Sequence, residues 1–221
     1  MQTTPLFSIV MPTFNRAALL GRAISSVLAQ EEVAWELLIA DDGSTDASWP
    51  LLCDWQAADT RIRCWRHENR GQAATRNRLL AEAQAPWIVF LDSDDAFEPA
   101  HLSKRREAIE SDADVDMWLS PMRVVGDPMV ACRDHPGQMV HVDHCVGVGM
   151  IAVRREIILA AGGFPEQAYA EDTEMVSRLV VAGVRTRKLA QRSYVYYRDH
   201  ADTITQNQRK VDHARLVELA V

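Results

Sequence analysis

Several features are scarce in this chain of 221 residues, and each scarcity closes off a class of protein. No uncharged apolar stretch approaches the roughly 20 residues that a bilayer-spanning helix needs. Met1 to Leu6 lacks the basic segment and apolar run of a secretory leader. The four cysteines, Cys53, Cys64, Cys132 and Cys145, show no C-x-x-C spacing, so neither a zinc knuckle nor a thioredoxin-like site is indicated. They are too few for a disulfide scaffold and read as reduced, mostly buried thiols. An N-x-S/T acceptor sequence is absent as well. Positive charge is not in excess: 24 Lys and Arg stand against 31 Asp and Glu, a net charge of −7 and a pI near 5.5. That balance argues against nucleic acid as a partner, because such binding needs clustered cations against phosphates. The short basic clusters at Lys104-Arg105-Arg106 and Arg185 to Lys188 read as solvated helix or strand ends. Together the absences predict a cytoplasmic chain, at most peripheral to a membrane, with no transmembrane segment.

What is present is ordinary in bulk and specific in arrangement. Hydrophobic residues make up 48% and charged residues 25%, as in soluble globular domains. Strand-like and helix-like segments alternate through the first hundred residues. Phe7 to Met11 is an apolar run ended by Pro12, followed by Leu20, Ile24, Val27 and Leu28 on one helical face. Trp35 to Ala40 reads as a second buried strand, and Ser44 or Asp46 as the N-cap of a helix carrying Trp49, Leu52 and Trp55. Arg61 to Trp65 and Trp87 to Leu91 read as further strands, separated by the good helix formers of Gln72 to Ala83. Such repetition predicts βαβ crossovers, hence an α/β fold with a mostly parallel central sheet flanked by helices. The second half is more mixed. A strand is expected over Met117 to Val125, a loop over Gly126 to Gln138 and a strand over Gly147 to Val153. A helix over Arg154 to Ala161 closes at Gly162-Gly163, another runs from Asp172 to Val181, and Tyr194 to Arg198 is strand-like. Residues 207 to 219 predict a marginally amphipathic tail helix. No repeat and no linker divides the chain, so 1–221 reads as one domain.

Asp92-Ser93-Asp94-Asp95 follows the apolar run Trp87 to Leu91 directly. Carboxylates this close repel one another unless a cation sits among them. An Asp-x-Asp pair at a strand end offers hard oxygens to one divalent ion, and Mn2+ or Mg2+ commonly shares such ligands with substrate phosphates. In open α/β sheets ligands bind beyond the carboxyl ends of the strands, where Asp41-Asp42 also falls.

Further motifs stand in a fixed order: Pro12-Thr13-Phe14-Asn15-Arg16, Asp41-Asp42-Gly43-Ser44, Asn69-Arg70-Gly71 with Arg76-Asn77, Asp92-Ser93-Asp94-Asp95, Gly162-Gly163-Phe164, Glu171-Asp172 and Arg198-Asp199-His200. Each is weak alone, but in this order they resemble the family 2 glycosyltransferases of the GT-A (Rossmann-like) fold. The resemblance implies a nucleotide-sugar-binding half at 1–98, an acceptor-binding and catalytic half at 99–205, and a tail helix at 206–221. It implies nucleotide contacts from Pro12, Thr13 and Phe14, the aromatic ring against uracil or another base; most relatives carry Tyr where Phe14 stands. Asp42 is then similar to the carboxylate that accepts from the base, Arg76 points toward the nucleotide, and Asp92 lies near the ribose or the metal's water shell. Asp94 would bind Mn2+ or Mg2+, with His200 completing the metal or diphosphate site. Asp172 would be the general base, with Glu174 close enough to compete for that role. Glu171, Asp95 and Arg198 are further candidates, while His144-Cys145 falls where an acceptor wall should begin. The partners implied are a nucleotide-sugar donor, with a UDP-sugar expected, and a hydroxyl-bearing acceptor such as a glycan or lipid-linked sugar. The family's processive Gln-x-x-Arg-Trp motif is not matched by Gln191-Arg192-Ser193-Tyr194, so non-processive, inverting transfer is expected. The tail is short for this family, which allows a homo-oligomer to complete the acceptor site. Two readings compete: a nucleotidyltransferase, which should show a glycine-rich loop after the first strand where Pro12-Thr13-Phe14-Asn15 stands, and an inactive nucleotide-sugar-binding module, which should lack the Asp-x-Asp or the base.

Overall fold

The computed structural model describes residues 4–132, 135, 137–165 and 171–199. Its elements run β1 (Phe7–Thr13), α1 (Ala17–Leu28), β2 (Trp35–Asp41), α2 (Ser48–Ala58), β3 (Ile62–Arg66), α3 (Gln72–Glu82), β4 (Trp87–Phe90), β5 (Ala96–Phe97) and α4 (His101–Ser111). Then follow β6 (Met117–Leu119), β7 (Met122–Val125), β8 (Met129–Ala131), β9 (Met139–His141), β10 (Ile151–Arg154), α5 (Arg155–Ala160), α6 (Glu171–Val181), β11 (Thr186–Lys188) and β12 (Tyr194–Tyr197). One sheet has the order β11-β6-β10-β4-β1-β2-β3. Here β1 lies parallel to both β2 and β4, β2 parallel to β3, and β10 antiparallel to its neighbours β4 and β6.

The apolar run of β1 follows from burial on both faces. Phe7, Ile9 and Met11 pack on one side with Leu20, Ala23, Ile24 and Val27 of α1. Val10 faces the other side, against Leu38, Phe90, Leu79 and Leu80, in a layer that also holds Ile158, Met175 and Leu179. Alternation along a strand therefore divides one hydrophobic segment between two cores. Because β1, β2 and β4 are parallel, their carboxyl ends share one edge of the sheet. Loops 14–16, 42–47 and 91–95 converge there.

The structure departs from expectation in four places, three of them in the second half. Met117 to Val125 is not one strand. It breaks at Ser120-Pro121, β6 joining the large sheet while β7 pairs in parallel with β12 in a three-stranded sheet; proline fixes φ and gives no ladder donor. The expected loop over Gly126 to Gln138 contains β8, which pairs with β9. Gly147 to Val153 begins as a 3-10 turn, Val148–Met150, and becomes strand only at Ile151. Finally, α2 is capped at Ala47, not Ser44 or Asp46, although Asp46 Oδ1 still accepts from the Ser48 N–H at 2.9 Å.

Arg105 also corrects the sequence reading of a solvated cluster. It is 1% exposed on α4. Its guanidinium donates to Ser120 Oγ at 2.7 Å and lies 3.1 Å from Nδ1 of His101, whose ring stacks on Phe97 at 3.8 Å. Burial pushes Arg105 down to about 9 and holds His101 well below the usual imidazole range, so the partners of this buried cation are uncharged.

Candidate active site

The strand-end edge opens into a cleft of about 730 Å³. Its first wall is the β1–α1 loop. Asn15 has a positive φ of 53° and is held by its own hydrogen bonds: its N–H donates to Ser44 Oγ at 2.8 Å, and its Oδ1 accepts from the Thr45 N–H at 2.8 Å. Arg16 N–H reaches Ser48 Oγ at 2.9 Å and Ala17 N–H reaches Asp46 Oδ2 at 3.0 Å. The loops after β1 and β2 are thus fastened together, and Phe14 is left 43% exposed at the cleft. An aromatic ring kept in solvent beside a cavity is a stacking surface for a planar ligand.

Asp42 lines the same cleft and anchors the approach to α3. Its two oxygens accept from the backbone N–H groups of Arg70 at 2.7 Å and Gly71 at 3.0 Å. Oδ1 also lies 3.4 Å from Nδ1 of His67, while Oδ2 keeps a second lone pair for a further donor. Gly43 beside it has φ +79°, and an added Cβ would sit 2.8 Å from Asn69 N. Only glycine suits that position.

The acidic loop after β4 is built around a buried tyrosine. Tyr194 Oη donates to Asp95 Oδ2 at 2.6 Å and accepts from the Asp92 N–H at 3.2 Å, while Asp95 Oδ1 accepts from the Tyr197 N–H at 2.8 Å. Asp95 therefore turns inward. Burial pushes its carboxyl well above the usual range, and the charges of Asp94 and Asp92 push the same way. Asp94 remains at the cleft, 3.7 Å from Arg16 Nε, and its backbone carbonyl accepts from Arg22. Arg22 in turn lies 3.6 Å over the Tyr197 ring and 3.7 Å from Asp199.

Arg76 is 2% exposed and joins the two halves of the site. Nη2 donates to Asp92 Oδ1 at 2.8 Å and Nη1 to Glu171 Oε1 at 2.7 Å. The next residue explains the glycine pair far downstream. Asn77 makes reciprocal 2.8 Å hydrogen bonds with the Phe164 backbone N–H and C=O. Gly163, with φ +68°, has its Cα so close to Asn77 Oδ1 that a side chain would overlap it. From there the chain reaches α6, whose first turn carries Glu171 and Asp172. Asp172 opens to the cleft, with Oδ1 accepting from the Thr173 N–H at 2.7 Å. Burial raises its carboxyl above the ordinary value; Arg76 pulls it back and the Glu171 charge raises it again. Glu174 pairs instead with Arg178 at 3.4 Å and is not part of the cleft lining, which separates the two candidate bases. The wall facing Asp172 is mostly apolar, with Met122, Val130, Val142 and the segment Cys145 to Gly149.

Pro12, Thr13, Phe14, Asp42, Arg76, Asp92, Asp94, Asp95, Glu171 and Asp172 all line this one cleft. Arg198 does not. Its guanidinium donates to the backbone carbonyls of Asp127, at 2.8 Å, and Met129, so it fastens the loop before β8. His200, the tail helix and the remaining segment 206–221 lie outside the described residues. His144 is likewise absent from the lining, whereas Cys145 belongs to it. Sequence reasoning missed Tyr194, Arg22 and Asn77 as builders of the site.

Six carboxylates line the cleft against two guanidiniums, those of Arg16 and Arg76. A diphosphate entering there meets net negative charge. Asp92 and Asp94 are hard oxygen donors with side chains 31% and 17% exposed. Mg2+ and Mn2+ accept one or two carboxylates and fill their remaining positions with water and phosphate oxygens, so this pair fits such an ion. Among the described residues no group of three or more His, Cys, Asp or Glu is gathered as a metal cage.

The model of the family described as "Glycosyl transferase family 2" matches residues 8–128, more than half the chain and both acidic strand ends. The chain belongs to glycosyl transferase family 2. This family 2 chain is 41% identical over 91 residues to WfgD of Escherichia coli, named as a UDP-Glc:alpha-D-GlcNAc-diphosphoundecaprenol beta-1,3-glucosyltransferase; the match covers 41% of this chain and 35% of WfgD. Among solved structures, S. aureus TarS 1-349 in complex with UDP-GlcNAc superimposes with a TM-score of 0.75 at 20% identity, over 89% of this chain and 59% of that one. The mannosyltransferase PcManGT from Pyrobaculum calidifontis, in complex with GDP-Man and Mn2+, gives 0.72 at 19% identity, over 97% and 62%. At these identities the likeness establishes the fold, which is GT-A. The family 2 chain spans less than half the length of the curated relatives it matches. No helix among the described residues is long and apolar enough to cross a membrane.

Proposed function

We propose that this chain carries the catalytic site of a metal-dependent, inverting, non-processive glycosyltransferase, moving a sugar from a UDP-sugar to a hydroxyl on a glycan or lipid-linked acceptor. One observation carries the reading: a single cleft holds an exposed aromatic ring, an acidic strand-end pair and, across from them, a carboxylate raised by burial. WfgD's name specifies a UDP-linked donor and a diphosphoundecaprenol acceptor, and TarS was crystallised with UDP-GlcNAc, both in keeping with a uracil donor here.

In this reading Phe14 stacks on the base and Asp42 accepts from its imide N–H. Asp94, with Asp92, would hold Mn2+ or Mg2+, which supplies neutralisation of charge on the departing diphosphate. Arg76 keeps Asp92 and Glu171 fixed on either side of the reacting atoms. Asp172 accepts the proton of the acceptor hydroxyl while that oxygen bonds to the anomeric carbon. The bond from that carbon to the diphosphate oxygen breaks on the opposite face, the electron pair leaves with the diphosphate, and the configuration inverts. Burial makes Asp172 a stronger base than an exposed aspartate, which suits the task. His200 stays a proposed contributor to the metal or diphosphate site, and a second copy of the chain a proposed contributor to the acceptor site.

A thermal-shift panel of UDP, GDP and dTDP sugars with and without Mn2+ tests the reading. Stabilisation by a UDP-sugar that depends on Mn2+ is expected. The proposal fails if no nucleotide stabilises the protein under either condition.

A further inference from the structure

The acidic loop and the apolar acceptor-side wall meet at one side chain, and nothing in the chemistry assigned above uses it. Tyr194 is 1% exposed, at the start of β12, about a hundred residues downstream of the loop it supports. Its hydroxyl is bonded on both sides, accepting from the Asp92 N–H and donating to Asp95 Oδ2. Asp95 N–H closes the turn on the Asp92 carbonyl at 3.0 Å. The hydroxyl therefore fixes both ends of the four-residue turn that carries Asp92 and Asp94. Its ring meets the other wall. Gly149 packs so closely on the Tyr194 ring that any Cβ there would overlap three ring atoms, although its backbone is of a kind that other residues adopt. Phe97 completes the slot edge-on at 5.8 Å.

We infer that Tyr194 is a positioning residue that sets the spacing of Asp92 and Asp94 for a divalent ion, and that Gly149 is glycine because the Tyr194 ring must lie flat against the acceptor-side wall. The inference rests on the assignment of the Asp92–Asp94 pair to a metal. Its logic is geometric. Two carboxylates on a short loop bind one ion only if their separation is fixed beforehand. The residues between them supply no rigid element, while the hydroxyl of Tyr194 joins a backbone N–H at one end to a side chain at the other. The phenol hydroxyl is engaged by Asp92 and Asp95, so in this inference it acts through the loop. The same side chain links the two walls mechanically: a shift of the 148–150 turn by an arriving acceptor presses on the ring that holds the metal loop.

The test is Mn2+ affinity, read by electron paramagnetic resonance of free Mn2+ during titration of the whole chain in the presence of UDP, alongside UDP affinity without metal by calorimetry. Y194F keeps the ring in its slot and removes only the hydroxyl. It should weaken Mn2+ binding about tenfold, the scale of one net hydrogen bond, and leave metal-free UDP binding unchanged. G149A should reproduce the Mn2+ defect by displacing the ring, and it serves where Y194F is not recovered folded. D94A separates the two layers of argument. If D94A leaves Mn2+ binding intact, the metal assignment itself is wrong. If D94A abolishes binding while Y194F, or G149A in its place, retains wild-type Mn2+ affinity, the positioning role of Tyr194 is overturned. A loss of metal-free UDP affinity equal to the loss of Mn2+ affinity would also overturn it, by showing general damage.

Discussion

Removing the guanidinium of Arg76 while keeping its length should destabilise this chain severely. In R76M the methionine fills most of the volume of a side chain that is 3% exposed, so little cavity forms. What remains is two carboxylates without their cation: Glu171, whose side chain is 11% exposed, and Asp92 at 31%. Breaking a buried pair by deleting one partner costs about 3–5 kcal/mol, because the other charge stays desolvated. The more open Asp92 recovers some hydration, which argues for about 3 kcal/mol here. That is a large share of the roughly 5–15 kcal/mol available to a domain. Urea denaturation at pH 7, followed by circular dichroism, should show a lower midpoint at an unchanged slope. The double variant R76M/E171Q distinguishes charge from packing. Neutralising Glu171 removes the more buried of the two charges, so the double variant should be more stable than R76M alone, with a coupling energy of about 1–3 kcal/mol. A loss below about 1 kcal/mol in R76M, or strict additivity in the cycle, would refute the view that Arg76 neutralises this part of the cleft.

Other outcomes follow from the same geometry. D172N should lower kcat by about a thousandfold, within the usual range for a general base, and leave UDP affinity unchanged; a parallel loss of UDP binding would assign Asp172 to the donor instead. Because burial raises the Asp172 carboxyl and the base must be ionised to act, wild-type kcat/KM should fall with acid at a pH above the range of an exposed aspartate. F14A should weaken UDP binding by about 1–3 kcal/mol, the scale of one base–aromatic stack, with little change in melting temperature because the ring is half exposed; unchanged UDP affinity would remove Phe14 from the donor site. For Arg105, burial lowers the folded value to about 9. Above that pH the unfolded chain holds more protons than the folded one, so wild-type stability should rise relative to R105M between pH 9 and 12, and parallel curves would show the depression to be absent.

The parallel half of the fold was legible because local chemistry and global position agree there. Phe7 to Met11 and Trp87 to Leu91 are apolar without interruption, and strands buried on both faces must be. The second half was harder to read, because its strands are three or four residues long and their periodicity is too brief to separate strand from turn. At Ser120-Pro121 one apolar segment feeds two different sheets, a fact about tertiary pairing that no local pattern records. Arg105 misled for a related reason. Lys104, Arg105 and Arg106 are adjacent in sequence, but a helix turns about 100° per residue and sends neighbours in different directions. Arg105 points into the core, while Lys104 and Arg106 stay near solvent with Glu107 and Glu32.

At the site the division is by role. Residues that line the cleft were visible, because Asp92, Asp94, Asp42 and Asp172 are carboxylates at strand or helix ends, where bland explanations are few. Residues that hold them were invisible. Tyr194 begins a four-residue apolar strand and looks like core, yet its hydroxyl closes a turn 99 to 102 positions away. Asn77 looks like a helix surface amide, yet it fixes Phe164 and, with Gly163, the approach to α6. The cleft-lining carboxylates announce themselves by charge; supporting groups are defined by their partners, and partners exist only in three dimensions. The acidic stretch at 92 to 95 shows both kinds side by side. Asp92, Asp94 and Asp95 all line the cleft, but Asp95, identical in chemistry and adjacent in sequence, is 1% exposed and held by one phenol and one backbone N–H, which makes it part of the support.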